Sequence, residues 1–128
     1  MISKCTNYFT HVLLYQDTGF EDVAFSKYVR SRDGECLNCG SVDYLQAAHI
    51  HSRSYHAIRV NETNCVALCR SCHLRFTHRP LEWHEWVEGR FPGRWDVLKW
   101  EALGYERVDW KFQARYWVER VRQQEADV

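Results

Sequence analysis

Cys36-Leu37-Asn38-Cys39 and Cys69-Arg70-Ser71-Cys72-His73 frame a segment, residues 40–68, whose reading decides the fold. A C-x2-C turn sets two thiolates about one ion's diameter apart, and two such turns complete the tetrahedral sulfur shell that zinc prefers. The spacing predicts a structural zinc site on Cys36, Cys39, Cys69 and Cys72, with no open coordination position. The N-terminus, Met1-Ile2-Ser3-Lys4-Cys5, leads into no signal-peptide core. The six cysteines are therefore expected in a reducing compartment as metal ligands rather than disulfides, with a cytoplasmic location. Cys5 and Cys65 stand apart from the knuckles and are expected to be buried thiols.

Working outward, residues 42–50 are rich in small and β-favouring types and predict a strand. The polar, basic stretch 52–63 reads as a loop, and residues 64–68 as a second strand running into the second knuckle. His73 is expected to open a short helix, Leu74 to about His78, closed by Pro80. On the other side, Thr18-Gly19-Phe20-Glu21 has the form of a capping box. Phe20, Ala24, Phe25, Tyr28 and Val29 then repeat at helical spacing, predicting a helix over 20–32 that stops at Asp33-Gly34. Within the first twenty residues, Tyr8-Phe9 and Val12-Leu13-Leu14-Tyr15 fit either a short strand or a packing arm. Beyond Pro80 three helical pieces are expected, punctuated by Gly89, Pro92-Gly93 and Gly104. The clearest, 109–124, carries Trp110, Ala114, Trp117, Val118 and Val121 on one face, and the Trp stripes read as core.

A chain of 128 residues with 45% hydrophobic and 15% aromatic content can bury one core, which excludes global disorder. No linker divides it, so the expectation is a single α+β domain over 1–128, with a core at 20–88 and a helical extension, 89–128, packed upon it. No run approaches the ~18–20 apolar residues of a membrane span. The formal charge of zero argues against a uniformly basic bulk binder of nucleic acid. Its distribution is uneven: residues 1–26 carry net −2, residues 27–79 net +4 and residues 80–128 net −2.

The chemistry-bearing residues sit between and after the knuckles: Ala48-His49-Ile50, then Asn64-x4-Cys69-x2-Cys72-His73. A lone His is more often a surface or core residue, and a lone Asn more often still. A zinc-clamped strand, loop, strand and helix, however, can converge His49, Asn64 and His73 on one point. At these residues the sequence resembles the HNH endonucleases, members of the His-Me finger group. The resemblance covers roughly residues 20–88. It runs through Phe25-Ser26-Lys27-x2-Arg30-x-Arg32-Asp33, Cys39-Gly40 and Ala48-His49-Ile50-x-Ser52-Arg53-x-Tyr55-x3-Arg59, then continues with Asn64-x3-Leu68-Cys69-x2-Cys72-His73 and Phe76-Thr77-x2-Pro80-Leu81-Glu82-Trp83. The combination looks like the HNH proteins common in bacteriophage genomes, which would place the chain in a host-cell cytoplasm.

The resemblance implies a ββα-metal fold, a hairpin and helix around one divalent ion, Mg2+ or Mn2+. It implies hydrolysis of DNA phosphodiester bonds to 5′ phosphate and 3′ hydroxyl ends. His49 matches the general base, Asn64 the residue that orients the base or braces the hairpin, and His73 a ligand of the catalytic metal. Many HNH proteins carry a second ligand just before the base, and here that position is Ala48. His51 is the nearest replacement, because two residues along an extended chain return to one face; Asp43 and His78 are more distant. The sparse alternative is His73, with or without Asn64, completed by water and substrate phosphate. Arg53, Arg59, Arg30 and Arg75 are candidate DNA contacts, together with Lys27, Arg32 and Arg70. A monomer that nicks one strand is the simplest form, since one His49 site cuts one strand. The alternative is a zinc-stabilised DNA-binding module without catalysis.

Overall fold

The computed structural model describes residues 19–104 and 107–127; Cys5, Thr18 and the segment 8–15 lie outside them. The elements are α1 (Phe20–Asp33), β1 (Leu45–His49), two 3-10 turns (His56–Ile58 and Glu62–Asn64), β2 (Cys65–Cys69), α2 (Arg70–His78), α3 (Pro80–Arg90), α4 (Arg94–Glu101) and α5 (Trp110–Ala126). This is an α+β arrangement about one two-stranded antiparallel sheet. Among the described residues no helix is long and apolar enough to cross a membrane.

The hairpin pairs Leu45 with Cys69 and, at its other end, His49 with Cys65. Alternate residues of a strand face opposite sides, so this register sorts the side chains into two layers. Ala47 and Cys65 pack with Ala24, Phe25 and Val29 of α1, while Ala48, Val66 and Leu68 pack with Phe76, Trp83 and Trp86 of α2 and α3. β2 is buried along its whole length, which suits its run Cys-Val-Ala-Leu-Cys. β1 is shorter than the predicted 42–50. Tyr44 adopts a positive φ of 52°, which turns the chain just ahead of Leu45, and its carbonyl accepts from the Arg70 amide at 3.0 Å.

α1 begins one residue later than a capping box on Thr18 requires. Gly19, at φ 79°, is the N-cap, and its carbonyl accepts from the amides of Asp22 and Val23. The helix stops where expected, at Gly34 with φ 72°, whose N–H bonds the Arg30 carbonyl. Its last turn is tied to the sheet: the Asp33 carboxylate accepts from the Ala67 amide at 2.8 Å. Arg32 donates to the carbonyls of Glu62 (2.7 Å) and Cys65 (2.8 Å). Arg32 thus ties the end of α1 to the loop and the start of β2.

α5 closes over α1. Trp117 meets the rings of Phe25 and Tyr28 at 4.8 and 4.9 Å, with Ala114, Val118 and Val121 buried beside it. Arg120 donates to the Tyr28 hydroxyl (2.7 Å) and Gln124 to the Tyr28 carbonyl (2.9 Å). The Asp109 carboxylate caps α5 by accepting from the Phe112 amide.

Three helical expectations need correcting. α2 starts at Arg70 rather than near Leu74, because Cys69 supplies its N-cap through the thiol, which accepts from the Cys72 amide. Gly89 lies inside α3, which Pro80 opens; the break falls at Pro92-Gly93, where Gly93 takes φ 84°. Trp100 on α4 is 78% exposed and not core, whereas Leu98 of the same helix is buried. Trp117→Ala should lower the unfolding free energy by about 3–5 kcal/mol in urea titration. Zinc content should stay unchanged, because Trp117 packs in the α1–α5 layer and the knuckle cysteines do not.

Candidate functional site

The sulfur atoms of Cys36, Cys39, Cys69 and Cys72 all lie within 4.8 Å of one another, and the Cys39 and Cys69 sulfurs are 3.7 Å apart. Tetrahedral zinc with Zn–S bonds of about 2.3 Å needs sulfur separations of roughly 3.8 Å, so the cluster is compatible with zinc. The first knuckle forms because Gly40, at φ 81°, lets its own N–H reach the Cys36 carbonyl (2.8 Å). The amides of Cys39 and Cys72 point at the Cys36 and Cys69 sulfurs at 3.5 Å, and the Asn38 side chain donates to the Cys72 sulfur at 3.3 Å. These donors favour thiolates. Burial opposes ionisation of Cys36, yet backbone N–H groups from Cys69, Cys39 and Asn38 outweigh it and bring that thiol down to about 7. Cys72 is pushed up to about 12 by burial and by sharing the cluster with three other sulfurs, Asn38 opposing. Four thiols this close can ionise together only around a cation.

On the other side of Ala48, His49 and His73 both line two adjoining hollows. One, of about 190 Å3, is bounded by Ala48, Leu68, Phe76, Thr77, Pro80 and Trp83. The other, of about 390 Å3, is bounded by Asp22, Phe25, Ser26, Ala47, Ser52 and Arg53. The pair of histidines therefore stands between a largely apolar pocket and a polar one.

His49 closes β1 and leans on Phe25, ring centroids 6.1 Å apart. Its Nε2 lies 2.8 Å from the Arg59 carbonyl; a carbonyl only accepts, so Nε2 carries the proton and Nδ1 keeps its lone pair. The Cys65 sulfur is 4.0 Å from Nδ1, at the outer limit of contact, and burial pushes that thiol up to about 12. Burial also holds His49 below its ordinary 6.5, with the Arg59 carbonyl and Asp22 pulling the other way and Arg53 and Arg59 adding to the depression. His73, in the first turns of α2, donates from Nδ1 to the Gln46 Oε1 at 2.7 Å, which leaves the lone pair on Nε2. Its pKa too is lowered by burial. Gln46 escaped the sequence reading; its place on β1, in register with Leu68 one residue before the helix-capping Cys69, was the available signal.

Asn64 is fully buried and its amide is spent on backbone. Oδ1 accepts from the His51 amide (2.9 Å), and Nδ2 donates to the carbonyls of His51 and Ile58 (3.1 Å each). It braces the loop between the strands. His51 is not brought to His49 and His73. The strand ends at His49, and beyond it His51 turns toward α4, donating from Nε2 to the Trp95 carbonyl (2.9 Å) with its ring 4.4 Å from that of Trp95. Asp43 and His78 line neither hollow.

The four candidate DNA contacts separate. Arg53 reaches the polar hollow, 57% exposed, with one bond to Asp22 (3.1 Å). Arg59 is 24% exposed and grips the same carboxylate through both Nε and Nη2. Despite burial, these two arginines hold the Asp22 carboxyl below its usual range. Arg30 donates back to the Ser26 carbonyl and Arg75 pairs with Glu82, and neither lines a hollow. Asp22 is the second residue the sequence reading missed, although it stands one helical turn ahead of Phe25 and Ser26, on the face turned to the basic loop.

Among families of known proteins, the HNH endonuclease model matches residues 36–79, from the first knuckle cysteine to the residue after α2. Neither the curated proteins nor the solved structures contain a match.

Replacing a single thiol tests the sulfur cluster. Cys69→Ser removes a thiolate ligand while its hydroxyl can still cap α2, so it should abolish stoichiometric zinc by elemental analysis and lower the melting temperature. Full zinc with unchanged melting would refute the assignment.

Proposed function

Taking the HNH endonuclease match over residues 36–79 as premise, we propose that the chain is a metal-dependent DNA endonuclease. His49 is its general base, and His73 is the protein ligand of a catalytic divalent ion, Mg2+ or Mn2+. The observation that carries this reading is the polarity of the two histidines at one cleft: Nδ1 of His49 and Nε2 of His73 keep their lone pairs because the opposite nitrogens are tied to Arg59 and Gln46. In this reading β1, β2 and α2 form a ββα-metal unit, clamped by structural zinc in Cys36, Cys39, Cys69 and Cys72.

The residues then divide the work. Nδ1 of His49 takes the proton from a water attacking phosphorus; with its pKa lowered by burial, the ring is neutral and competent at pH 7. Arg53, in the polar hollow with Ser26 and Ser52, meets the phosphate strand. Asn64 keeps the loop carrying that arginine in place. Among the described residues the four cysteines alone form a group of three or more metal-type ligands. His73 would therefore share the catalytic ion with substrate phosphate and water, the sparser of the ligand sets that Ala48 allows. Such an ion supplies charge neutralisation at the phosphate and at the leaving 3′ oxygen. One base per chain makes a nick the expected product, and a phage genome is the setting that the sequence resemblance favours.

Purified protein with supercoiled plasmid should produce nicked circles in Mg2+ or Mn2+ and none in EDTA. His49→Ala should remove the activity while zinc content and folding stay intact. A folded His49→Ala protein that still cuts, or a metal-independent gel shift with no cleavage by wild type, would favour the DNA-binding module instead. The pH profile supplies a second check. Because burial holds His49 below its ordinary 6.5, kcat/KM should rise as pH increases, with its midpoint under 6.5, and then level off. A midpoint above 7 would contradict the assignment.

A further inference from the structure

Arg59 presents two groups to two partners. Its guanidinium holds Asp22 of α1 through Nε (2.9 Å) and Nη2. Its carbonyl holds Nε2 of His49 (2.8 Å). The turn that delivers this carbonyl, His56–Ile58 and Arg59, has no strand to fix it and is pinned from three directions. Asp22 holds it through the ion pair. Trp110 at the start of α5 lies under the Arg59 guanidinium, 5.6 Å from ring to carbon, and edge-on to the His56 ring at 5.7 Å. Asn64 binds the neighbouring Ile58 carbonyl.

We propose that Asp22 and Arg59 are positioning residues for the base. Their ion pair anchors the 56–59 turn so that the Arg59 carbonyl selects the Nε2–H tautomer of His49 and fixes its ring, and Arg59 itself makes no contact with DNA. The proposal rests on His49 being the base, and it reverses the role that sequence gave to Arg59. An arginine serving phosphate keeps its donors toward solvent. Arg59 commits two of them to one partly buried carboxylate and packs its plane against an indole, and it is the less exposed of the two arginines sharing Asp22. Arg53 keeps the accessible position and remains the phosphate contact. The carboxylate therefore separates two basic neighbours into one that builds the site and one that meets the substrate.

The test uses the zinc-loaded full chain with Asp22→Asn, Arg59→Gln, Arg59→Lys and Arg53→Gln. It reads steady-state cleavage and, without DNA or added divalent metal, the 15N resonances of the histidine side chains. Asp22→Asn and Arg59→Gln should lower kcat on the order of tenfold to a hundredfold, the loss expected from a misplaced base. KM should stay within about twofold, since no substrate contact is removed. Arg59→Lys, which keeps a charge opposite Asp22, should recover most of the loss. Arg53→Gln should raise KM and flatten the salt dependence. In the spectra, wild-type His49 should show a single Nε2–H form, and Asp22→Asn a mixture of tautomers.

Were Arg59 a phosphate contact, Asp22→Asn would free it and strengthen DNA binding, and Arg59→Gln would act on KM. Either result, or an unaltered His49 tautomer in a folded Asp22→Asn protein, overturns the proposal. Should wild type cut no DNA, the nuclease reading fails by itself. The tautomer then decides the positioning role alone: a mixture in Asp22→Asn supports it, and a wild-type signal ends it.

Discussion

Four sulfur atoms within 4.8 Å of one another cannot all be thiolates unless a cation sits among them, and the rest of the structure hangs on that requirement. Cys69 carries it in three ways at once. It ends β2, pairs with Leu45 at the mouth of the hairpin, and caps α2 through its sulfur. A two-stranded sheet is marginal alone. Here one end of the hairpin is fastened by the four-cysteine cluster and the other by the buried amide of Asn64, which stitches the loop from Ile58 to His51. The register between those fasteners leaves no freedom to slip, since a shift of one residue would turn His49 from the α1 face to the α2 face.

Electrostatics follows the same economy. In sequence, residues 27–79 carry a positive surplus and the flanks on either side a negative one. In the fold they are complements. Arg53 and Arg59 close on Asp22 from the N-terminal flank, Arg75 and Arg79 on Glu82 from the C-terminal one, and Lys27 on Glu125. Most of the surplus thus joins segments to one another. Arg53, the more exposed of the two arginines on Asp22, also lines the hollow that His49 and His73 share.

The zinc knuckles, the hairpin, the end of α1 at Gly34 and the amphipathic face of α5 were legible because each rests on local spacing: two residues between cysteines, alternation along a strand, a glycine after the last apolar repeat, heptad-like apolar positions. The meeting of His49 and His73 was legible through their tie to the knuckles. What sequence could not show were partnerships made by the tertiary path. Gln46 binds His73 across 27 positions, and Asp22 binds Arg59 across 37. His51 illustrates the converse: strand parity placed it beside His49, but the strand stops at His49 and parity with it. The charges of Arg32 and Arg59 are visible in sequence, and the groups they bind in the fold are not.

The closure of α5 over α1 joins segments some ninety residues apart, as the contact of Arg120 with Tyr28 shows. During synthesis the knuckles and the hairpin are available as soon as Cys72 leaves the ribosome, and they need only short loops to form. α1 has by then been made but has no α5 to cover Tyr28 and Phe25, and Trp110 is not yet there to support Arg59. The four-cysteine cluster can therefore form early, and the cleft takes its final shape only after residue 126 has emerged. In a chain still being made, the four knuckle cysteines would come together before α5 could support Arg59 through Trp110.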